Sequence, residues 1–226
     1  MSKHERSDES LADRRPLASR NTVAAQRFAR LLASTSITPN QISAASVFAA
    51  LIACVCFYAT AQSSSWQHSA GFILAAFACQ LRLLCNLMDG MVAIEAGKQT
   101  ADGAVWNELP DRIADILVFV GVGYAAGWPS LGWSVAALAV FVSYVRELGK
   151  GIDGVVDFSG PMAKPHRMAL VTVAAVIAAV LNLLPIDNTD GQVSTLIMTV
   201  GLWVLAVGCV LTLFRRTRSM LLRLKP

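Results

Sequence analysis

Asn86 and Asp89 stand three residues apart, and Asn107 and Asp111 four apart. On a helix, either spacing puts the two side chains on one face. Two such faces brought together would give a cluster of hard oxygen donors, the chemistry that holds Mg2+ or Mn2+. Both pairs fall in the stretch 82–115, which carries six of the chain's fifteen acidic residues: Asp89, Glu95, Asp102, Glu108, Asp111 and Asp115. Acids at the mouth of apolar helices are costly unless they serve a function. The stretch is therefore the active-site candidate. A plainer reading stays open, with Asn86 and Asn107 as interhelical hydrogen-bonding residues and Asp89 and Asp111 as helix-end acids.

The elements that must position these residues are apolar. Of 226 residues, 55% are hydrophobic and only 15% charged, too little charge for a soluble domain of this length. Runs long enough to cross a bilayer recur at 41–61, 70–88, from 107 or 111 to 127, 132–148, 167–184 and 193–214. The class is an all-α polytopic integral membrane protein with six transmembrane helices, its membrane domain spanning 38–214. Residues 1–18 are polar, mixed in charge and expected to be disordered. The segment 19–37 can form an amphipathic helix, with Val23, Phe28, Leu31 and Leu32 on one face and Arg20, Arg27 and Arg30 elsewhere. Such a helix would lie on the membrane surface or pack on the protein beside it. The five cysteines all sit in or beside apolar runs and read as small embedded residues.

Charge distribution orients the chain. Of its nineteen Lys and Arg residues, seven precede the first span, three surround the loop between spans two and three, four surround that between spans four and five, and five lie in the tail 215–226. The three opposite loops have none. By the positive-inside rule both termini and the 82–115 stretch face the cytoplasm, which needs an even number of spans. The basic tail would contact anionic headgroups of membrane lipids. Nucleic acid is not an expected partner, because the positive charge is membrane-proximal and no binding module surrounds it.

The pattern Asn86-x-x-Asp89-Gly90-x-x-Ala93, followed by Gly103-x-x-x-Asn107-x-x-x-Asp111, resembles the motif of the CDP-alcohol phosphotransferase family, D-x-x-D-G-x-x-A-R then G-x-x-x-D-x-x-x-D. Thr38-Pro39-Asn40-Gln41-Ile42-Ser43 is similar to the segment that opens that family's first span. The resemblance implies an enzyme of phospholipid synthesis in the cell (cytoplasmic) membrane. A CDP-diacylglycerol-like lipid would donate its phosphatidyl group to a small alcohol acceptor, with release of CMP. It implies Mg2+ or Mn2+ as cofactor and a homodimer as the assembly. Carried over position by position, Asp89, Asn86, Asn107 and Asp111 would be the metal ligands, and Asp111 the catalytic base. Asp89, Gly90, Ala93 and Gly103 would line the nucleotide. Arg146, Lys164 and Arg167 are candidates for a phosphate on the acceptor, with positive-inside anchoring as the alternative.

The chain departs from the family pattern at three positions. Asn86 and Asn107 stand where the pattern has aspartates, and Ile94 where it has arginine. Asparagine can ligate a hard cation through its carbonyl oxygen but brings no charge. The four-residue set therefore carries −2 instead of −4, which argues for one ion or for weaker binding. Glu95, Asp102, Glu108 and Asp115 are candidates to compensate. Glu108 points about 100° away from Asn107 on a helix, whereas Asp115 lies one turn from Asp111 on the same face. A non-catalytic descendant that binds nucleotide or CDP-lipid without turnover is the main rival. A prenyltransferase would need more spans, and a transporter would place its ionisable residues near the midplane.

Overall fold

The computed structural model describes residues 22–62, 66–95, 97, 102–184 and 191–225. The expected polar tail at 1–18 lies outside the described residues. Seven helices are formed among the described residues: α1 (Val23–Ala33), α2 (Pro39–Thr60), α3 (Trp66–Glu95), α4 (Gly103–Ala125), α5 (Pro129–Asp153), α6 (Lys164–Leu183) and α7 (Gln192–Arg223). No strand is present among the described residues. The chain is thus the all-helical, polytopic membrane type that its composition dictates. Five of the six long helices are long and apolar enough to cross a bilayer. The remaining one, α4, carries Glu108, Asp111, Arg112 and Asp115 in its first half and Pro110 inside the helix.

Helix starts follow local chemistry. Thr38 caps α2 in a reciprocal box: its hydroxyl accepts from the Gln41 N–H at 3.3 Å, and the Gln41 side chain accepts from the Thr38 N–H at 3.0 Å. Pro39, Pro129 and Pro165 occupy the first turns of α2, α5 and α6, where the missing N–H costs nothing. The 30 residues of α3 extend about 45 Å at 1.5 Å per residue, more than the ~30 Å hydrocarbon core. The helix is therefore about ten residues longer than the hydrocarbon core requires. The expected end of this span near 88 is too early for the same reason: the helix continues to Glu95 through a polar face. Likewise α7 runs unbroken to Arg223, so the basic segment beginning at 215 is its last turns, with Arg216 and Met220 buried.

The long helices pack in a ring in the order α2, α3, α6, α7, α5, α4 and back to α2, with α4 also touching α7 across the bundle. Small residues allow this closeness: Ala50, Ala53, Ala75, Ala139, Ala175, Ala178 and Ala179 are fully or nearly fully buried. In lipid such interfaces replace the hydrophobic drive with close van der Waals contact. A close backbone approach joins α4 and α5, where a Cβ on Gly132 would lie 2.7 Å from both the Gly123 Cα and the Phe119 carbonyl oxygen. Gly132→Val is expected to push these helices apart at a cost of about 1–3 kcal/mol, a fall of roughly 2–10 °C in melting temperature in detergent. An unchanged melting temperature would show that the contact is looser than described.

One face of α1 packs on the end of α3. Ala29 joins Ile42, Met88, Met91 and Val92 in a small apolar cluster, while Val23, Phe28 and Leu31 stay exposed. Of the two expected placements, packing on the protein is seen for one face, and the other face is open.

Candidate active site

The ring leaves α3 and α4 without a shared apolar seam, and polar side chains bridge them instead. Asn86 Nδ2 on α3 donates to Asp111 Oδ1 on α4 at 2.7 Å. Lys164, the first residue of α6, donates its ammonium to Asp111 Oδ2. One carboxylate therefore joins three helices at one end of the bundle. Asp89, one helical turn beyond Asn86, is 4% exposed. Its Oδ2 accepts from the Ser43 hydroxyl at 2.7 Å, and its Oδ1 from the Gly90 N–H at 2.5 Å. The capped start of α2 is what puts Ser43 there, so the Thr-Pro-Asn segment acts on the site through the helix it begins.

Beneath this layer lies a charged triad. Asp115 is fully buried and accepts from Arg82 at 2.8 Å and from Arg167 at 2.6 Å. Arg82 is also fully buried, and its NH2 lies 3.4 Å from the Asp111 main-chain oxygen and 3.7 Å from Asp111 Oδ1. Two guanidinium groups sharing one carboxylate tie α3, α4 and α6 together one turn inside the Asp111 layer. Asp115 is therefore a brace, and its side chain is not available as a replacement ligand or base.

A third network flanks α4 on its α5 side. Glu108 accepts from Arg112 at 2.5 Å and from Arg146 at 2.6 Å, and Arg146 also pairs with Glu147 at 2.8 Å. Arg112 further donates to Ser143. Elsewhere Glu95 faces Arg30 of α1 at 3.8 Å, and Asp102 accepts from the Trp106 indole at 3.0 Å. The four acids that might have compensated for Asn86 and Asn107 are thus engaged away from them.

Asn86, Asp89, Gly90 and Asp111 come together between α3 and α4, with Ala93 one turn further along α3 and Gly103 opening α4. Asn107 is exposed, on the turn before Asp111. The three expected acceptor-side cations are all paired: Arg146 with Glu108 and Glu147, Lys164 with Asp111, and Arg167 with Asp115. Arg167 is 1% exposed, so it belongs to the brace and not to an open anion site. Sequence reasoning missed Ser43 and Arg82 as site residues. A lone arginine in the apolar run QLRLLC is an intramembrane cation, and that was the available signal for Arg82.

The loop between α5 and α6 is docked on α7. Met162 N–H donates to Thr212 Oγ1 at 3.0 Å, and Arg216 donates to the Ser159 and Val142 carbonyls at 2.9 and 3.0 Å. Partial burial alone would push the Asp157 carboxyl up, but hydrogen bonds from Ser159 and the charge of Arg216 bring it below the ordinary carboxylate range. Gly160, at φ 108°, is pressed against the Thr212 side chain.

A family model for CDP-alcohol phosphatidyltransferase matches residues 36–214. The chain belongs to the CDP-alcohol phosphatidyltransferase family. Members transfer a phosphatidyl group from a CDP-activated lipid to an alcohol in phospholipid synthesis, and this chain is a transferase of that type. It is 26% identical over 193 residues to the phosphatidylinositol phosphate synthase of Mycolicibacterium smegmatis, covering 81% of this chain and 77% of that protein. Inner membrane protein YnbA of Escherichia coli is 32% identical over 100 residues, which is 42% of this chain and 48% of that protein. Among solved structures, Mycobacterium tuberculosis phosphatidylinositol phosphate synthase with CDP-DAG bound matches at a TM-score of 0.69 and 22% identity, over 87% of this chain and 92% of that one. The same enzyme with manganese and citrate also matches at 0.69. At that identity the structural likeness establishes the fold alone.

The family is metal-dependent, and the donors of this CDP-alcohol phosphatidyltransferase fit a divalent ion in kind. Asp89 and Asp111 offer carboxylate oxygens, and with its Nδ2 turned to Asp111, Asn86 keeps a carbonyl oxygen to offer. In number they are few. Among the described residues, no three of His, Cys, Asp and Glu are grouped to hold a metal.

Proposed function

We propose that the Asp89–Asn86–Asp111 cluster is the transfer centre of this phosphatidyltransferase. Asp111 carries the reading, because its carboxylate collects Asn86, Lys164 and the neighbouring Arg82 at one point between α3, α4 and α6. Asp89 and Asn86 would hold a divalent ion, Mg2+ or Mn2+, with exposed Asn107 reaching it from α4. When bound, that ion would offset charge developing on the leaving CMP. Asp89 and the backbone at Gly90, Ala93 and Gly103 would line the nucleotide. Asp111 takes the proton from the acceptor hydroxyl: each carboxylate oxygen has a second lone pair, so the bonds from Asn86 and Lys164 leave acceptor capacity. The oxygen of the alcohol attacks the diacylglycerol-linked phosphorus, the pyrophosphate bond breaks, and CMP departs.

Lipid reaches the cleft sideways, while the alcohol enters from the cytoplasm. The distribution of Lys and Arg supports this orientation, with both termini on the cytoplasmic side and six spans. A homodimer is the assembly that the family resemblance favours.

The acceptor is an alcohol without a phosphate of its own. Arg146, Lys164 and Arg167 each have an internal carboxylate partner, so an acceptor phosphate would have to displace Glu108, Asp111 or Asp115. The names of the mycobacterial relatives point the other way, to a phosphorylated acceptor. Paired substrates decide: inositol against inositol phosphate, and glycerol against glycerol phosphate, with the lipid product identified by mass spectrometry. Product from the unphosphorylated member alone supports the reading, and product from the phosphorylated member alone refutes it. The replacements Asn86, Ile94 and Asn107 favour a second reading, a descendant that binds CDP-lipid without releasing CMP.

A further inference from the structure

The last turns of α7 hold four arginines, and they divide by use. Arg216 donates to the Ser159 and Val142 carbonyls, and Arg223 pairs with Asp153 at 2.7 Å. Arg215 and Arg218 are exposed and have no carboxylate partner among the described residues. Three residues apart, they share one face of the helix. Leu211 and Phe214 precede them on that face, 54% and 70% exposed. The apolar run 193–214 matches the ~30 Å hydrocarbon core at 1.5 Å per residue. Arg215, the next residue, therefore stands at its edge.

A groove of about 600 Å3 opens on this face. Leu211, Phe214 and Arg215 line it from α7, and Ser159, Gly160 and Pro161 line it from the α5–α6 loop. Small residues hold the loop close to α7: a Cβ on Gly208 would collide with Met162, and one on Gly160 with Thr212. The same stretch of loop reaches the start of α6. The Pro161 carbonyl lies 2.9 Å from His166 Nδ1, and the Met162 carbonyl accepts from Arg167 at 3.2 Å. In that first turn Lys164 meets Asp111, and Arg167 meets Asp115. One short loop thus separates the groove from the transfer centre.

An apolar slot with two such cations at its polar end matches one class of molecule. A soluble phosphate would satisfy the arginines and leave Leu211 and Phe214 unused. A zwitterionic lipid brings its own cation to the headgroup and gains less from them. We infer that the groove is a regulatory site for an anionic phospholipid of the surrounding leaflet, with an acyl chain on Leu211 and Phe214 and its phosphate on Arg215 and Arg218. The bound lipid fastens the loop and with it the first turn of α6, so that transfer is faster in a membrane rich in anionic lipid. The rate effect rests on the transfer centre proposed above; the binding does not.

The test uses the full-length protein with phosphatidylglycerol, phosphatidylcholine or inorganic phosphate as the probe. Native mass spectrometry from detergent is expected to find phosphatidylglycerol retained on wild type in preference to phosphatidylcholine. Arg215→Gln combined with Arg218→Gln should bind it about 10- to 30-fold more weakly, two headgroup contacts being lost. Arg215→Lys combined with Arg218→Lys should retain it, as should Lys225→Gln, which lowers the charge of the tail away from the groove. Amide hydrogen exchange at 154–163 should slow with phosphatidylglycerol on wild type, but not on the glutamine variant and not with phosphate. CMP release in nanodiscs should rise about fivefold or more when phosphatidylglycerol is added to phosphatidylcholine, and the glutamine variant should stay at the unstimulated rate. Equal retention of the two lipids by wild type, undiminished retention by the glutamine variant, or protection of the loop by phosphate alone overturns the site. Retention with no change in CMP release overturns the regulation. So does a glutamine variant whose only change is a raised KM for CDP-diacylglycerol, which would make the groove part of the donor's path. Wild type that holds phosphatidylglycerol and protects the loop, yet releases no CMP with any alcohol, leaves the site standing and removes the transfer centre.

Discussion

Asp115→Leu is expected to destabilise the protein by about 3–5 kcal/mol, because it strands two buried guanidinium groups with no carboxylate between them. Arg82 and Arg167 are 0% and 1% exposed, so neither can turn to water without opening the bundle. In a thermal melt in detergent this predicts a fall of roughly 6–20 °C, or aggregation in place of a monodisperse peak. Asp115→Asn keeps the shape and one acceptor oxygen and should fall between wild type and leucine. A melting temperature unchanged in Asp115→Leu would mean that the guanidinium groups are hydrated and that the brace is not one. Activity should fail in the same variants, since Asp111 lies one turn above Asp115 and shares Arg82 with it.

The second large effect separates chemistry from folding. Asp89→Asn can keep its carbonyl oxygen on the Gly90 N–H while its amide donates to the Ser43 oxygen, whose own proton can go to the Pro39 carbonyl, so the fold should survive with a melting temperature close to wild type. It removes one of only two carboxylates available to hold the ion. CMP release should drop by about 100- to 1000-fold, the kinetic equivalent of a few kcal/mol of lost charge stabilisation. Near-normal release would remove Asp89 from the centre. Release lost together with the fold would mean that Asp89 mainly anchors α2 to α3 through Ser43.

Much of this was legible in the sequence, and the reasons are physical. Apolar runs of bilayer length announce helices whatever their partners are. Spacings of three and four announce faces, so Asn86 with Asp89 and Asn107 with Asp111 could be placed on faces before their helices met. Which faces meet was much less visible. Arg82 finds Asp115 across 33 residues and Arg167 finds it across 52, and no periodicity records such a choice. Counting Arg82 among the cytoplasmic positive charges concealed that it is a buried cation needing a partner. Glu108 was correctly excluded as a stand-in for Asn107 by its angle, but its real role, holding Arg146 and Arg112, needed α5 in place. Nor does any local pattern record how the loop at 154–163 is held. Thr212 and Arg216 on α7, about fifty residues on, dock it.

The most direct test of the Asp111 centre is CMP release from CDP-diacylglycerol by wild type and by Asp111→Asn. Both would be purified in detergent and supplied with Mg2+ or Mn2+ and a panel of alcohols. Wild type is predicted to release CMP only with metal and only with an acceptor. The variant should be slower by about 100- to 10,000-fold, the usual contribution of a positioned base. CMP release by a folded Asp111→Asn protein at the wild-type rate would contradict the assignment of the centre to Asp111.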